Sequence, residues 1–112
     1  MHWNVKEIEA AELAKMAEDA EPYRLIDVRE IREIEGGTIN GAEAMPMATV
    51  PLKANELDKN EKLIVMCRTG ARSAQVCVFL QQNHGFENVY NLRGGIFGWA
   101  NSGMPVSLPR AV

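Results

Sequence analysis

The chain has 112 residues, enough for one compact domain. Its composition, 46% hydrophobic and 24% charged, is ordinary for a globular protein. A net charge of −3 offers no global attraction to nucleic acid or an anionic membrane, so any anion site must be a local basic island.

The first residues, Met1 to Glu7, contain no basic region leading into an apolar stretch, and no later run is long enough to span a bilayer. A signal peptide is therefore not expected, and the cytoplasm is the expected location. Two cysteines, Cys67 and Cys77, are too few for a secreted disulfide framework.

The stretch from Ile8 to Met16 predicts a short opening strand and then one or two helical turns, with Ala10, Leu13, Ala14 and Ala17 at helical spacing. Pro22 is expected to stop that helix. Tyr23 to Val28 is a β-favouring run ending in charges and predicts a strand. Residues 29–36 predict a short helix closed by Gly36 and Gly37. A brief strand over Gly41 to Met45 ends at Pro46, and residues 48–58 could hold a short helix despite Pro51 inside it.

Lys62 to Met66 is an apolar run suited to the middle of a sheet covered on both faces. The loop Cys67 to Ser73 follows, then a helix over Ala74 to His84 with Gly85 as its stop. Asn88 to Leu92 predicts a strand, Gly94 and Gly95 a turn, and Ile96 to Asn101 a last short helix. Strands alternating with short helices argue for a parallel α/β sheet.

The informative arrangement is strand, Cys67, short glycine-containing loop, helix. Unpaired backbone N–H groups at a helix N-terminus point at whatever precedes the helix, and the helix dipole adds positive potential there. Arg68 and Arg72 add full charges, while the nearest acids along the chain are Glu61 and Glu87. A cysteine in that setting should have a depressed pKa and be a good nucleophile. The alternative, a buried cysteine at a strand end, leaves the two arginines and the glycine unexplained.

Loop length separates two chemistries. Tyrosine phosphatases use a cysteine, five residues, arginine, then serine or threonine; here Cys67 is followed by four residues, Arg72 and Ser73. The tighter ring suits a single bound sulfur better than a phosphoryl group with three oxygens.

At this point the sequence resembles the rhodanese family, from about Ile8 to Val106. Leu25-Ile26-Asp27-Val28-Arg29-Glu30 is similar to that family's first signature, and Gly37-Thr38-Ile39-Asn40-Gly41-Ala42 to its next element, with Pro46 where a proline is expected. Gly94-Gly95-Ile96-Phe97-Gly98-Trp99 and Gly103-Met104-Pro105-Val106 are similar to its closing signature. Thr38 departs from the pattern by replacing the usual histidine, at a position the family uses structurally, so the change is expected to be tolerated.

The resemblance implies one rhodanese-like domain over residues 1–112, an α/β fold with a central parallel sheet flanked by short helices. It implies a sulfurtransferase with Cys67 as the sulfur-accepting residue and Arg68, Thr69, Gly70, Ala71 and Arg72 as the loop that binds the donor. Thiosulfate or a persulfide would supply sulfane sulfur, and a thiol, or cyanide in vitro, would accept it. No metal or organic cofactor is implied. A relay protein that hands its persulfide to a partner, such as a small sulfur-carrier protein, is the alternative from another class. A cysteine-dependent phosphatase or arsenate reductase is disfavoured by the loop count.

Other residues have simpler expected roles. Thr69 and Ser73 would shape the loop or cap the helix. Gly70 would meet a backbone requirement, and Asp27 would be a structural hydrogen-bonding acid. Cys77, Phe97 and Trp99 are expected in the core. His2 and His84 do not look like catalytic bases, and no metal-ligand cluster is visible.

Overall fold

The run Leu63–Met66 is buried along all four residues, which places it in the interior of a sheet covered on both faces. The computed structural model describes residues 4–109. Its five strands are β1 (Lys6–Ile8), β2 (Arg24–Asp27), β3 (Glu43–Ala44), β4 (Leu63–Met66) and β5 (Val89–Leu92). They lie in the order β1-β5-β4-β2-β3, and every adjacent pair is parallel.

Alternation along the strands builds two cores. Leu63, Val65 and Cys67 point to the face covered by α3 (Val50–Lys53) and α4 (Ala71–His84), with Val76, Cys77 and Leu80 opposite them. Ile64 and Met66 point the other way, toward α1 (Ala10–Glu18) and α5 (Gly95–Asn101), where Leu13, Met16, Ile96 and Trp99 complete the second core. A short helix, α2 (Ile31–Glu35), follows β2.

Several boundaries differ from expectation for local reasons. Helix α1 ends at Glu18, short of Pro22. Ala20 takes a left-handed φ of 54°, and the Glu21 N–H bonds back to the Met16 carbonyl at 3.0 Å, so a left-handed turn rather than the proline closes the helix. Pro51 sits in the first turn of α3, where its missing N–H costs nothing, and 3-10 turns over Met47–Thr49 and Ala54–Glu56 flank that helix. Helix α4 starts at Ala71, three residues earlier than expected, because Gly70 adopts a φ of 104° and turns the chain directly into it.

Strand β4 is the central strand, and the chain leaves it toward β5 on one side while it leaves β2 toward β3 on the other. The C-terminal ends of β4 and β2 therefore form a topological switch point, the place where open parallel sheets hold their ligands. Cys67 is the first residue beyond β4 there.

Candidate active site

Strand β4 delivers Cys67 to the base of a loop that folds back over its sulfur. The Sγ accepts hydrogen bonds from the Gly70 N–H at 3.1 Å, the Ser73 N–H at 3.4 Å and the Ser73 hydroxyl at 3.3 Å. Gly70 is the N-cap of α4 and supplies no side-chain cap, so the sulfur itself takes an N–H that a capping serine or aspartate would otherwise satisfy. Burial pushes the Cys67 thiol up. The Ser73 hydroxyl and the N–H groups of Ser73, Gly70 and Thr69 outweigh it, and the thiol ends below its ordinary value.

A second helix holds the loop from behind. The N–H of Ile96 donates to the Cys67 carbonyl and that of Phe97 to the Arg68 carbonyl, both at 2.9 Å. With its first carbonyls committed to α5, the loop can turn its N–H groups toward the sulfur. Gly95, at a φ of 58°, is pressed against this junction; a Cβ there would overlap the backbone carbonyls of Cys67 and Arg68.

Asn91 supports the ring from β5. Its Oδ1 accepts from the Ser73 hydroxyl, and its Nδ2 donates to the Gly70 carbonyl and to a Glu7 carboxylate oxygen, each at 3.2 Å. Sequence reasoning missed this residue, although a polar residue inside the apolar run Val89–Leu92 was the available signal. At the end of β2, the fully buried Asp27 accepts from Arg29 Nη2 at 2.7 Å, Arg29 Nε at 3.0 Å and the Thr38 hydroxyl at 2.9 Å. Thr38 thus anchors the segment after α2, which accounts structurally for a hydroxyl where the resemblance led us to expect an imidazole.

The five loop residues after Cys67 do not share one role. Thr69 and Gly70 turn N–H groups to the sulfur, and Ala71 opens α4. Arg68 is exposed, has no carboxylate partner among the described residues, and lines a cleft of about 330 Å³ with Glu33, Ile96, Phe97, Ala100 and Val106. Arg72 differs from expectation: its guanidinium is not free at the loop but forms a bidentate pair with Glu33 of α2, at 2.7 and 2.9 Å. Glu33 lies 39 residues away in the chain, so nothing near Cys67 in sequence announced it.

The remaining expectations divide. Cys77 packs in the core with no exposed surface, and burial pushes its thiol up to about 12, with Glu7 and Cys67 adding to the shift. Trp99 is buried and donates its indole N–H to the Pro105 carbonyl at 2.8 Å. Phe97, expected in the core, is 54% exposed on the rim of the Arg68 cleft, because α5 turns only Ile96 and Trp99 inward. His84 ends α4, about 20 Å along the helix from its start, with its ring against Phe79. His2 lies outside the described residues.

Comparison with known proteins agrees with this architecture. A protein from Allochromatium vinosum named sulfurtransferase is 40% identical over 105 residues, 94% of this chain and 97% of that protein. A thiosulfate sulfurtransferase from Actinobacillus pleuropneumoniae is 42% identical over a shorter stretch of 52 residues, 46% of this chain and 47% of that protein. The crystal structure of a rhodanese-like domain protein from Staphylococcus aureus superposes with a TM-score of 0.83 at 32% identity, covering 95% of this chain and all of that one. The family model of the rhodanese-like domain matches residues 9–102, a span that begins just after β1 and holds strands β2 to β5 and the whole Cys67 loop; the chain belongs to the rhodanese-like domain family.

Proposed function

We propose that the protein is a sulfurtransferase that carries sulfane sulfur on Cys67, taken from thiosulfate or a persulfide and passed to a thiophilic acceptor. The observation that carries this reading is the ring of donors around the Cys67 sulfur: two N–H groups and a hydroxyl converge on an atom that has no other need of them. That ring favours negative charge at one sulfur, the requirement of both a thiolate nucleophile and a persulfide product.

In the first half-reaction the Cys67 thiolate attacks the outer sulfur of the donor. With thiosulfate, a sulfur–sulfur bond forms to Cys67 while the bond to the sulfonate sulfur breaks, and sulfite departs with that electron pair. In the second, an acceptor thiolate attacks the outer sulfur of the persulfide and Cys67 leaves as the thiolate. No net oxidant is consumed, and the two half-reactions give ping-pong kinetics. Arg68, Thr69, Gly70, Ala71 and Arg72 frame the donor: Arg68 draws the anion in, the loop backbone cradles the reacting sulfur, and Arg72 fixes the position of the rim.

Intact-mass spectrometry after incubation with thiosulfate tests the reading. One added sulfur atom is expected, on the peptide containing Cys67. Cys67→Ser should abolish both the adduct and turnover, since a serine hydroxyl cannot form a persulfide, while Cys77→Ala should retain them at a stability cost of about 1 kcal/mol. Sulfur on Cys77 with Cys67 unmodified would overturn the assignment.

A further inference from the structure

We infer that Glu33 is a specificity-determining residue, which holds Arg72 away from anion binding and tilts the site toward sulfur donors of low negative charge with an apolar body. The inference rests on the reading of Cys67 as the nucleophile. It adds what the neighbouring side chains select.

The pair spans the switch point, joining α2 to the first turn of α4. Its two terminal nitrogens, Nη1 and Nη2, each donate to a different carboxylate oxygen, so the end-on fork of Arg72 is taken and its charge is paired before any anion arrives. Glu33 cannot easily swing away. Its Oε1 also accepts the Glu30 N–H at 3.1 Å, and its carbonyl faces Arg29, which is itself locked onto buried Asp27. The charges are firmly set, since Arg72 holds the Glu33 carboxyl down to about 2 and Glu33 in turn raises Arg72.

The cleft beside the loop has two arginines on its walls: Arg29 is paired with Asp27, and Arg68 is the one without a carboxylate partner among the described residues. The other walls include Ile96, Phe97, Ala100 and Val106, which offer apolar contact. A compact dianion meets one free positive charge and a paired carboxylate there. An organic persulfide or thiosulfonate finds the same single charge and a surface for its carbon body.

The test uses two alkylating probes of similar size, anionic iodoacetate and neutral iodoacetamide, followed by the rate of mass gain on the Cys67 peptide in the full chain. Alkylation needs only the Cys67 thiolate, so the charge preference is read even in a protein that transfers no sulfur. Failure of the sulfur-transfer reading would appear separately, in the thiosulfate mass experiment. Glu33→Gln keeps a side chain able to accept the Glu30 N–H and releases Arg72. The ratio of iodoacetate to iodoacetamide rates should rise by about tenfold, the value of one charge-assisted hydrogen bond. Glu35→Gln removes the same charge from the exposed end of α2 and should leave the ratio unchanged. Arg72→Ala, with Glu33 in place, bares the carboxylate and should push the ratio below that of the unaltered protein. A Glu33→Gln ratio within twofold of that protein, an equal rise in Glu35→Gln, or no fall in Arg72→Ala would each overturn the inference.

Discussion

The Ser73 hydroxyl lies between two acceptors, 3.3 Å from Cys67 Sγ and in contact with Asn91 Oδ1, yet it carries a single proton. The Asn91 amide is oriented by its bonds to Gly70 and Glu7, so its Oδ1 faces the hydroxyl and competes with the sulfur for that one proton. Ser73 therefore couples the state of Cys67 to β5, on the far side of the loop.

Removing that hydroxyl should raise the Cys67 thiol. Its folded value lies below that of a free thiol partly because Ser73 donates to the thiolate. In Ser73→Ala the thiolate fraction at neutral pH should fall, and the pH profile of iodoacetamide alkylation should move to higher pH. A profile that stays put would show that the backbone N–H groups alone set the thiolate.

Gly95 allows the approach of α5 to the loop. Gly95→Ala places a methyl against the carbonyls of Cys67 and Arg68 at a φ of 58°, where overlap and left-handed strain act together. A loss of about 2–4 kcal/mol is expected, read as a fall in Tm. In whatever fraction still folds, the alkylation profile should shift upward, because the loop can no longer present its N–H groups squarely. Gly98→Ala, in the same helix but clear of the loop, is the comparison; its nearest contact would be ordinary, at 3.7 Å.

Arg68 offers the cation at the cleft. Arg68→Ala should cost on the order of tenfold to a hundredfold in kcat/KM for thiosulfate, the equivalent of one charge-assisted hydrogen bond, and should spare an uncharged persulfide donor. Raising the salt should erode part of the same advantage in the unaltered protein. Unchanged kinetics at both salt levels would leave the backbone ring and helix terminus as the whole anion site.

The Glu33–Arg72 pair also predicts a stability profile. The folded Glu33 carboxyl titrates at about 2, below its unfolded value near 4.5. Its stabilising contribution is therefore complete above about pH 4.5 and lost as pH falls toward 2. Between those limits Tm should drop faster with acid in the unaltered protein than in Glu33→Gln, which lacks the titrating group. Parallel curves would mean that the pair contributes nothing measurable to folding.

Much of the fold was legible in the chain because the signals are local. A short, unbroken apolar run such as Leu63–Met66, containing two β-branched residues, fits the middle of a sheet covered on both faces. Cysteine, glycine and a helix start within a few residues define a thiolate-stabilising loop by backbone geometry alone. The α/β class was accordingly legible in the sequence, and Cys67 with its loop stood out there as the candidate site. Tertiary structure alone decided the charges and supports around that loop. Arg72 is five residues from Cys67 and reads as an anion ligand, but Glu33 reaches the loop from α2 and Asn91 from β5, and chain separation hides such partners. Phe97 sits in a helix too short to show which face is buried, so its exposure was set by how α5 lies on the sheet. Local sequence determines which backbone conformations and which candidate nucleophile are available; the packing of distant segments determines which charges remain free beside them.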